Sequence, residues 1–222
     1  MLEEIVLNPG NTCNYAFFWF IPLIVVAAAS YFISQLDIWE DKKEIGMAVL
    51  GMSQSGKTLW YDFLSGSERG GKTQTSAGVA VDSFDLKCGE GRVATIKKGT
   101  DIPGADWHIK GNYEKMIKEN DFIFFFFDAE EYLYGHLKCE KDIKYDRDVN
   151  ARLDLISKFI DSKKFLLILT HVDKLTDKDA DVNEIINQIS NKSYGKLAKY
   201  YYPVNMMDER EKENLKNKIF GA

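Results

Sequence analysis

Cysteine is scarce in this chain of 222 residues: Cys13, Cys88 and Cys139 stand far apart, with no CxxC pair among them. An odd, scattered set of three builds neither a disulfide framework nor a zinc site, and it fits a reducing compartment. A basic excess is lacking as well, because 29 Lys and Arg against 34 Asp and Glu leave a formal charge of -5. A nucleic-acid footprint needs basic side chains gathered on one face, whereas these lysines are interleaved with acids, so no nucleic-acid partner is expected. Internal repeats and low-complexity tracts are also missing. The length suits one sizeable α/β domain plus an appendage, and two full domains would be cramped.

What is present is sharply segregated. Residues 15–36 (YAFFWFIPLIVVAAASYFISQL) form an uncharged, mostly apolar run of 22 residues. A transmembrane helix needs about 20, and such helices tolerate a proline like Pro22. Aromatics crowd its front end, as at a membrane interface. A buried core helix, a cleaved signal peptide and an interfacial helix are the alternatives. The signal peptide lacks a basic start, since only Glu3 and Glu4 precede the run as charges, and the interfacial helix lacks a charged face. Lys42 and Lys43 follow the span, so the positive-inside rule expects a single-pass membrane protein with its amino terminus outside and the remainder cytoplasmic. The expected organisation is a short extracytoplasmic stretch 1–14, a transmembrane helix 15–36, a linker 37–44 and a soluble domain 45–222.

Beyond residue 45, apolar runs alternate with helix-like stretches, the pattern of a mostly parallel sheet covered on both faces. Six strands are expected over 45–50, 79–86, 92–97, 121–127, 165–170 and 200–205, with helices over 57–65, 106–118, 146–161, 181–190 and 208–219. FIFFFF within 121–127 is nearly continuous and bounded by charge, so it should be a central strand buried on both faces. Residues 130–150 are too long for a minimal connection and rich in charge and tyrosine, which suits a solvated helix extension or a partner surface.

GMSQSGKT (51–58) matches G-x-x-x-x-G-K-[ST] directly after the first expected strand and at the opening of a helix. Backbone N–H groups over Gly51, Ser53, Gln54, Ser55 and Gly56 can wrap α- and β-phosphates, Lys57 can reach the β- and γ-oxygens, and the Thr58 hydroxyl can ligate Mg²⁺. GTDIPGADW (99–107) then offers Asp101 for the metal shell and the Gly104 N–H for a γ-phosphate; a plain turn is the alternative. The Gly/Ser/Thr-rich loop 65–78 holds Thr73, Thr75 and Ser76, of which Thr75, 18 residues after Lys57, is the candidate to cap the metal, unless these are ordinary loop residues. The run LILTHVDKL (167–175) ends at the sheet edge where ligands bind in open α/β sheets. There Asp173 can accept from guanine N1–H and its 2-amino group, a pairing adenine does not offer, while Thr170 braces the loop and His171 lies along the rings. Asp173 as a helix N-cap is the alternative.

These motifs, in this order, resemble those of the TRAFAC-type P-loop GTPases: G-x-x-x-x-G-K-[ST], a switch threonine, D-x-x-G and [NT]-K-x-D. The resemblance covers residues 45 to about 206 and implies a P-loop NTPase G domain binding GTP or GDP with Mg²⁺. It also implies a backbone contact to guanine O6, for which VNM (204–206) supplies Asn205 and Met206. A single amino-terminal span, a connector and one G domain are similar in layout to the signal recognition particle receptor beta subunit. Two departures stand out. His171 replaces the usual lysine, and Ala105 follows Gly104 where Ras-like members place the glutamine that orients the attacking water. His108 is the nearest polar side chain for that task. Three functions remain in play: a membrane-anchored GTPase switch with a protein partner, a pseudo-GTPase docking subunit, and an ATPase using the same cradle.

Overall fold

The computed structural model describes residues 44–67, 79–88, 93–101, 109–138, 145–161 and 163–220, all within one unit running Lys43–Gly221. The expected span 15–36 lies outside these residues. Among the described residues no helix is long and apolar enough to cross a membrane.

Nine strands and six α-helices follow in chain order among the described residues. They are β1 Glu44–Ile45, β2 Met47–Gly51, α1 Lys57–Ser65, β3 Val79–Val81, β4 Phe84–Lys87, β5 Val93–Ile96, β6 Gly99–Asp101, α2 Ile109–Glu119, β7 Phe122–Asp128, α3 Ala129–Lys138, α4 Tyr145–Ser157, β8 Lys164–Thr170, α5 Lys178–Ser190, β9 Tyr201–Pro203 and α6 Glu209–Phe220. The core is a four-stranded parallel sheet in the order β2-β7-β8-β9.

The single six-stranded sheet expected from the sequence is corrected here. The first two expected strands are each broken in two, a further short strand, β6, follows the third, and the described residues form three hydrogen-bonded pieces: the parallel sheet, a β1-β5-β4 sheet and an antiparallel β3-β6 ribbon. The physical cause at the first break is Gly46. Its carbonyl accepts from both Asp121 and Phe122 N–H, and its own N–H donates to Asp121 Oδ2 at 3.0 Å. The chain therefore pairs with β5 before Gly46 and with β7 after it. No side chain fits at this crossing, since a Cβ would lie 2.9 Å from Asn120 Cα.

β7 is buried along its whole length, as its aromatic run implies. Its alternating side chains serve two layers. Phe124 and Phe126 meet Trp60 of α1, and Phe122 and Phe124 meet Phe220 of α6, on one face. Phe125 and Phe127 belong to the cluster formed with Ile117 of α2, Tyr132 of α3, Leu153 of α4 and Ile185 of α5 on the other. Each ring fully buried in this way contributes about 1.5–3 kcal/mol by transfer from water. Helix α3, which enters the 130–150 stretch from Ala129, packs through Ala129, Tyr132 and Leu133 and is capped by Asp128, whose Oδ1 accepts from Glu131 N–H at 3.0 Å. Helix α5 begins at Lys178, earlier than the expected 181, because Asp177 caps it by accepting from Ala180 N–H.

Candidate functional site

Parallel pairing places the carboxyl ends of β2, β7 and β8 on one edge, where the chain leaves β2 and β8 into loops and β7 directly into α3. Residues 51–58 turn from β2 into α1 through three positive-φ residues, Gly51 at 135°, Gln54 at 58° and Gly56 at 83°. At Gly51 a Cβ would sit 2.0 Å from the Phe126 carbonyl oxygen, so only glycine lets the loop start beside β7. The loop then closes on one carbonyl. Ser55, fully buried, donates to Met52 O at 2.7 Å, and the buried Lys57 ammonium donates to the same oxygen. Lys57 is thereby held inside the loop at the start of α1, where the helix dipole favours an anion.

The loop after β8 meets it directly. Thr170 is fully buried and donates to Phe127 O at 3.1 Å. His171 takes a left-handed backbone, φ 56°, and opens a one-turn 3₁₀ helix, Val172–Lys174, on which Asp173 is exposed. The helix-cap alternative for Asp173 is set aside: His171 sits at the cap of that turn, and Asp177 caps α5. The loop after β9 closes the third side. Its Asn205 N–H donates to Glu211 Oε2 at 2.7 Å, its Oδ1 accepts from Met207 N–H, and Met206 is 5% exposed. At Gly56 the three loops converge, since a Cβ there would meet Met206 Cγ at 2.9 Å and Thr170 Cγ2 at 3.9 Å.

Asp101, expected in a loop after the 92–97 strand, is instead the last residue of β6, paired with Val79; its side chain is outside what is described. Thr75, Gly104, Ala105 and His108 lie outside the described residues.

Three residues not singled out from sequence hold the edge from beneath. Arg152 of α4, 5% exposed, donates to the Gly51 carbonyl at 3.1 Å, and Tyr113 Oη of α2 accepts from Gly51 N–H at 3.2 Å. Both polar groups of the loop's first residue are therefore held. A signal for Arg152 existed, because it shares the helix spacing of the buried Val149, Leu153 and Ile156 and so is a charge on an apolar face. The third is Asp128, opposite Thr170 in the β7–β8 register. Burial raises its carboxyl above the ordinary 3.8, opposed by the Glu131 N–H and by the nearby His171 and Lys174. Asp128 N–H donates to Tyr145 Oη at 2.8 Å, and burial pushes that phenol well above its usual range.

No protein-family model matches this sequence, and no curated protein matches it. Solved structures do. A probable GTP-binding protein, EngB, is 16% identical with a TM-score of 0.54, over 79% of this chain and 96% of that one. The elongation factor SelB from Methanococcus maripaludis, solved with the GTP analogue GppNHp, is 18% identical with a TM-score of 0.53, over 81% of this chain and 33% of that one. Era, solved with MgGDPNP and nucleotides 1506–1542 of 16S ribosomal RNA, is 16% identical with a TM-score of 0.53, over 81% of this chain and 57% of that one. Since that Era structure holds RNA, the fold lends no support to the expected absence of a nucleic-acid partner, which rests on charge balance alone. At these identities the likeness is one of fold: this chain has the α/β fold of the P-loop GTP-binding proteins, with four parallel strands at its centre.

Proposed function

We propose that this protein is a GTPase that binds and hydrolyses GTP with Mg²⁺, is anchored to a membrane by residues 15–36 with its G domain cytoplasmic, and changes protein partner with nucleotide state. The observation that carries the reading is the meeting of Gly56, Thr170 and Met206, one from each of the phosphate, base and O6 motifs. Gly51, Ser53, Gln54, Ser55, Gly56 and Lys57 hold the phosphates; Thr170, His171, Asp173, Asn205 and Met206 hold the guanine. Thr58, Asp101 and Thr75 hold Mg²⁺, which when bound neutralises charge on the β- and γ-oxygens. Gly104 contacts the γ-phosphate, and His108 orients water.

The test is phosphate release from GTP and from ATP by the full chain in detergent, with and without Lys57→Ala. Lys57-dependent release from GTP, with ATP a poor competitor, supports the reading. Equal competition by ATP would make it an ATPase. Ala105 favours a second reading, a docking subunit that holds nucleotide without turnover, because the glutamine position after Gly104 carries no group able to orient water. Tight GTP binding without Lys57-dependent release would select it.

A further inference from the structure

We propose that Asp128 is a positioning residue for base recognition, its carboxylate locking the His171 imidazole through Nδ1 as the platform beside the guanine. The inference rests on the reading of residues 170–173 as the base loop.

The hydrogen bonds assign the ring. His171 Nδ1 lies 3.0 Å from Asp128 Oδ2 and 3.2 Å from Thr170 Oγ1. Thr170 has one hydroxyl hydrogen, and it goes to the Phe127 carbonyl, which can only accept. Its oxygen is therefore an acceptor toward His171, as is the carboxylate, so Nδ1 carries the hydrogen and, in the neutral ring, Nε2 is the acceptor. Asp128 is itself fixed at three points: its Oδ1 by Glu131 N–H, its backbone N–H on Tyr145 Oη, and its place in β7 opposite Thr170. Lys174, paired with Glu130 at 3.6 Å, and Glu131 are charged groups that also act on Asp128. The ring is neither buried nor loose. Its side chain is 30% exposed, which leaves a surface for a ligand, while the left-handed backbone at φ 56° sets the direction in which it leaves the chain. A lysine stem would be ordered only on binding, whereas an imidazole held in advance loses little rotamer freedom then. This offsets what the chain forgoes by lacking a lysine at 171.

The test is titration of the full chain, in detergent, with a fluorescent GDP analogue, comparing wild type, Asp128→Asn, His171→Phe, the double variant and Asp173→Asn. The asparagine side chain keeps an oxygen for the Glu131 N–H, and its amide presents a group that no longer demands a hydrogen on Nδ1. Asp128→Asn should weaken binding about two- to tenfold, the effect of freeing one side chain, and should have no effect when combined with His171→Phe. Long-range ¹H–¹⁵N spectra should show the signal lost in His171→Phe as an Nδ1–H tautomer in wild type and as Nε2–H in Asp128→Asn. Equal weakening in both backgrounds, unchanged affinity, or an Nε2–H wild-type ring would overturn the proposal. If Asp173→Asn weakens binding while Asp128→Asn does not, this inference alone falls. If wild type does not bind, or Asp173→Asn binds as tightly as wild type, the base-loop reading falls and takes the inference with it.

Discussion

Alanine at Gly56 tests whether the phosphate loop and the loop after β9 are one packed unit. Gly56 holds φ 83° and ψ 10°, a left-handed conformation that adds about 1–2 kcal/mol for an L side chain. The new Cβ would also lie 2.9 Å from Met206 Cγ and 3.4 Å from Met206 Cβ. Methionine is adaptable, so this crowding falls at the low end of overpacking, about 1 kcal/mol. Gly56→Ala should therefore destabilise the protein by about 2–3 kcal/mol. Met206→Ala removes a side chain that is 5% exposed and should destabilise it by about 2 kcal/mol through the cavity it leaves. In the double variant the alanine methyl has room, so the combined loss should fall short of the sum by about 1 kcal/mol, while the backbone contribution persists. Urea unfolding of the full chain in non-ionic detergent reads all four corners of the cycle, with unchanged slopes showing that only stability moved. Additivity within about 0.5 kcal/mol would refute the contact, and with it the convergence on which the site is built.

Asp173→Asn should weaken GDP binding about ten- to hundredfold and leave ATP binding unchanged, read by competition titration, since it removes the charge from a paired acceptor. Asp128→Asn carries a pH signature. The folded-state pKa of Asp128 is raised, mainly by burial, so keeping this group protonated favours the fold at low pH and that contribution is lost as pH rises through the folded value. Relative to wild type, the variant should gain stability as pH rises above the ordinary carboxyl value of 3.8, and the gain should vanish in acid; urea midpoints across that range check the sign. Asp177→Ala should destabilise the protein by about 1 kcal/mol through loss of the Ala180 N–H cap, with no change in nucleotide affinity.

The sequence made the sheet's centre legible because burial on both faces leaves a mark that needs no partner to interpret: FIFFFF admits few readings other than a central strand. The phosphate loop was legible for a similar local reason, since its glycines answer a backbone demand that Gly51 and Gly56 show at φ 135° and 83°. Strand breaks were hidden, because what divides 44–51 is a change of partner at Gly46, set by Asp121 some 75 residues away. The start of α5 could have been found, as Asp177 stands three residues before the Ala180 N–H that it caps. Arg152 and Tyr113 were harder, because their task is defined by the Gly51 backbone, 101 and 62 residues distant.

Those long-range braces and the ladder divide the site into parts of unequal rigidity. The proposed phosphate and base sides grow from β2 and β8, which flank the buried β7 in one continuous parallel ladder. Asp101 ends β6, which pairs with β3 in the same antiparallel register as β5 with β4. Among the described residues that hairpin is joined to the strand leading into β2 by the short β1–β5 pairing, so its position depends less on the ladder that fixes Lys57 and Thr170. Geometry at the candidate metal side can thus change without breaking a hydrogen bond of the parallel sheet. The nucleotide-dependent switch proposed for this chain would use that arrangement: one side that binds and holds its shape, and one whose place is set by the ligand it helps to hold.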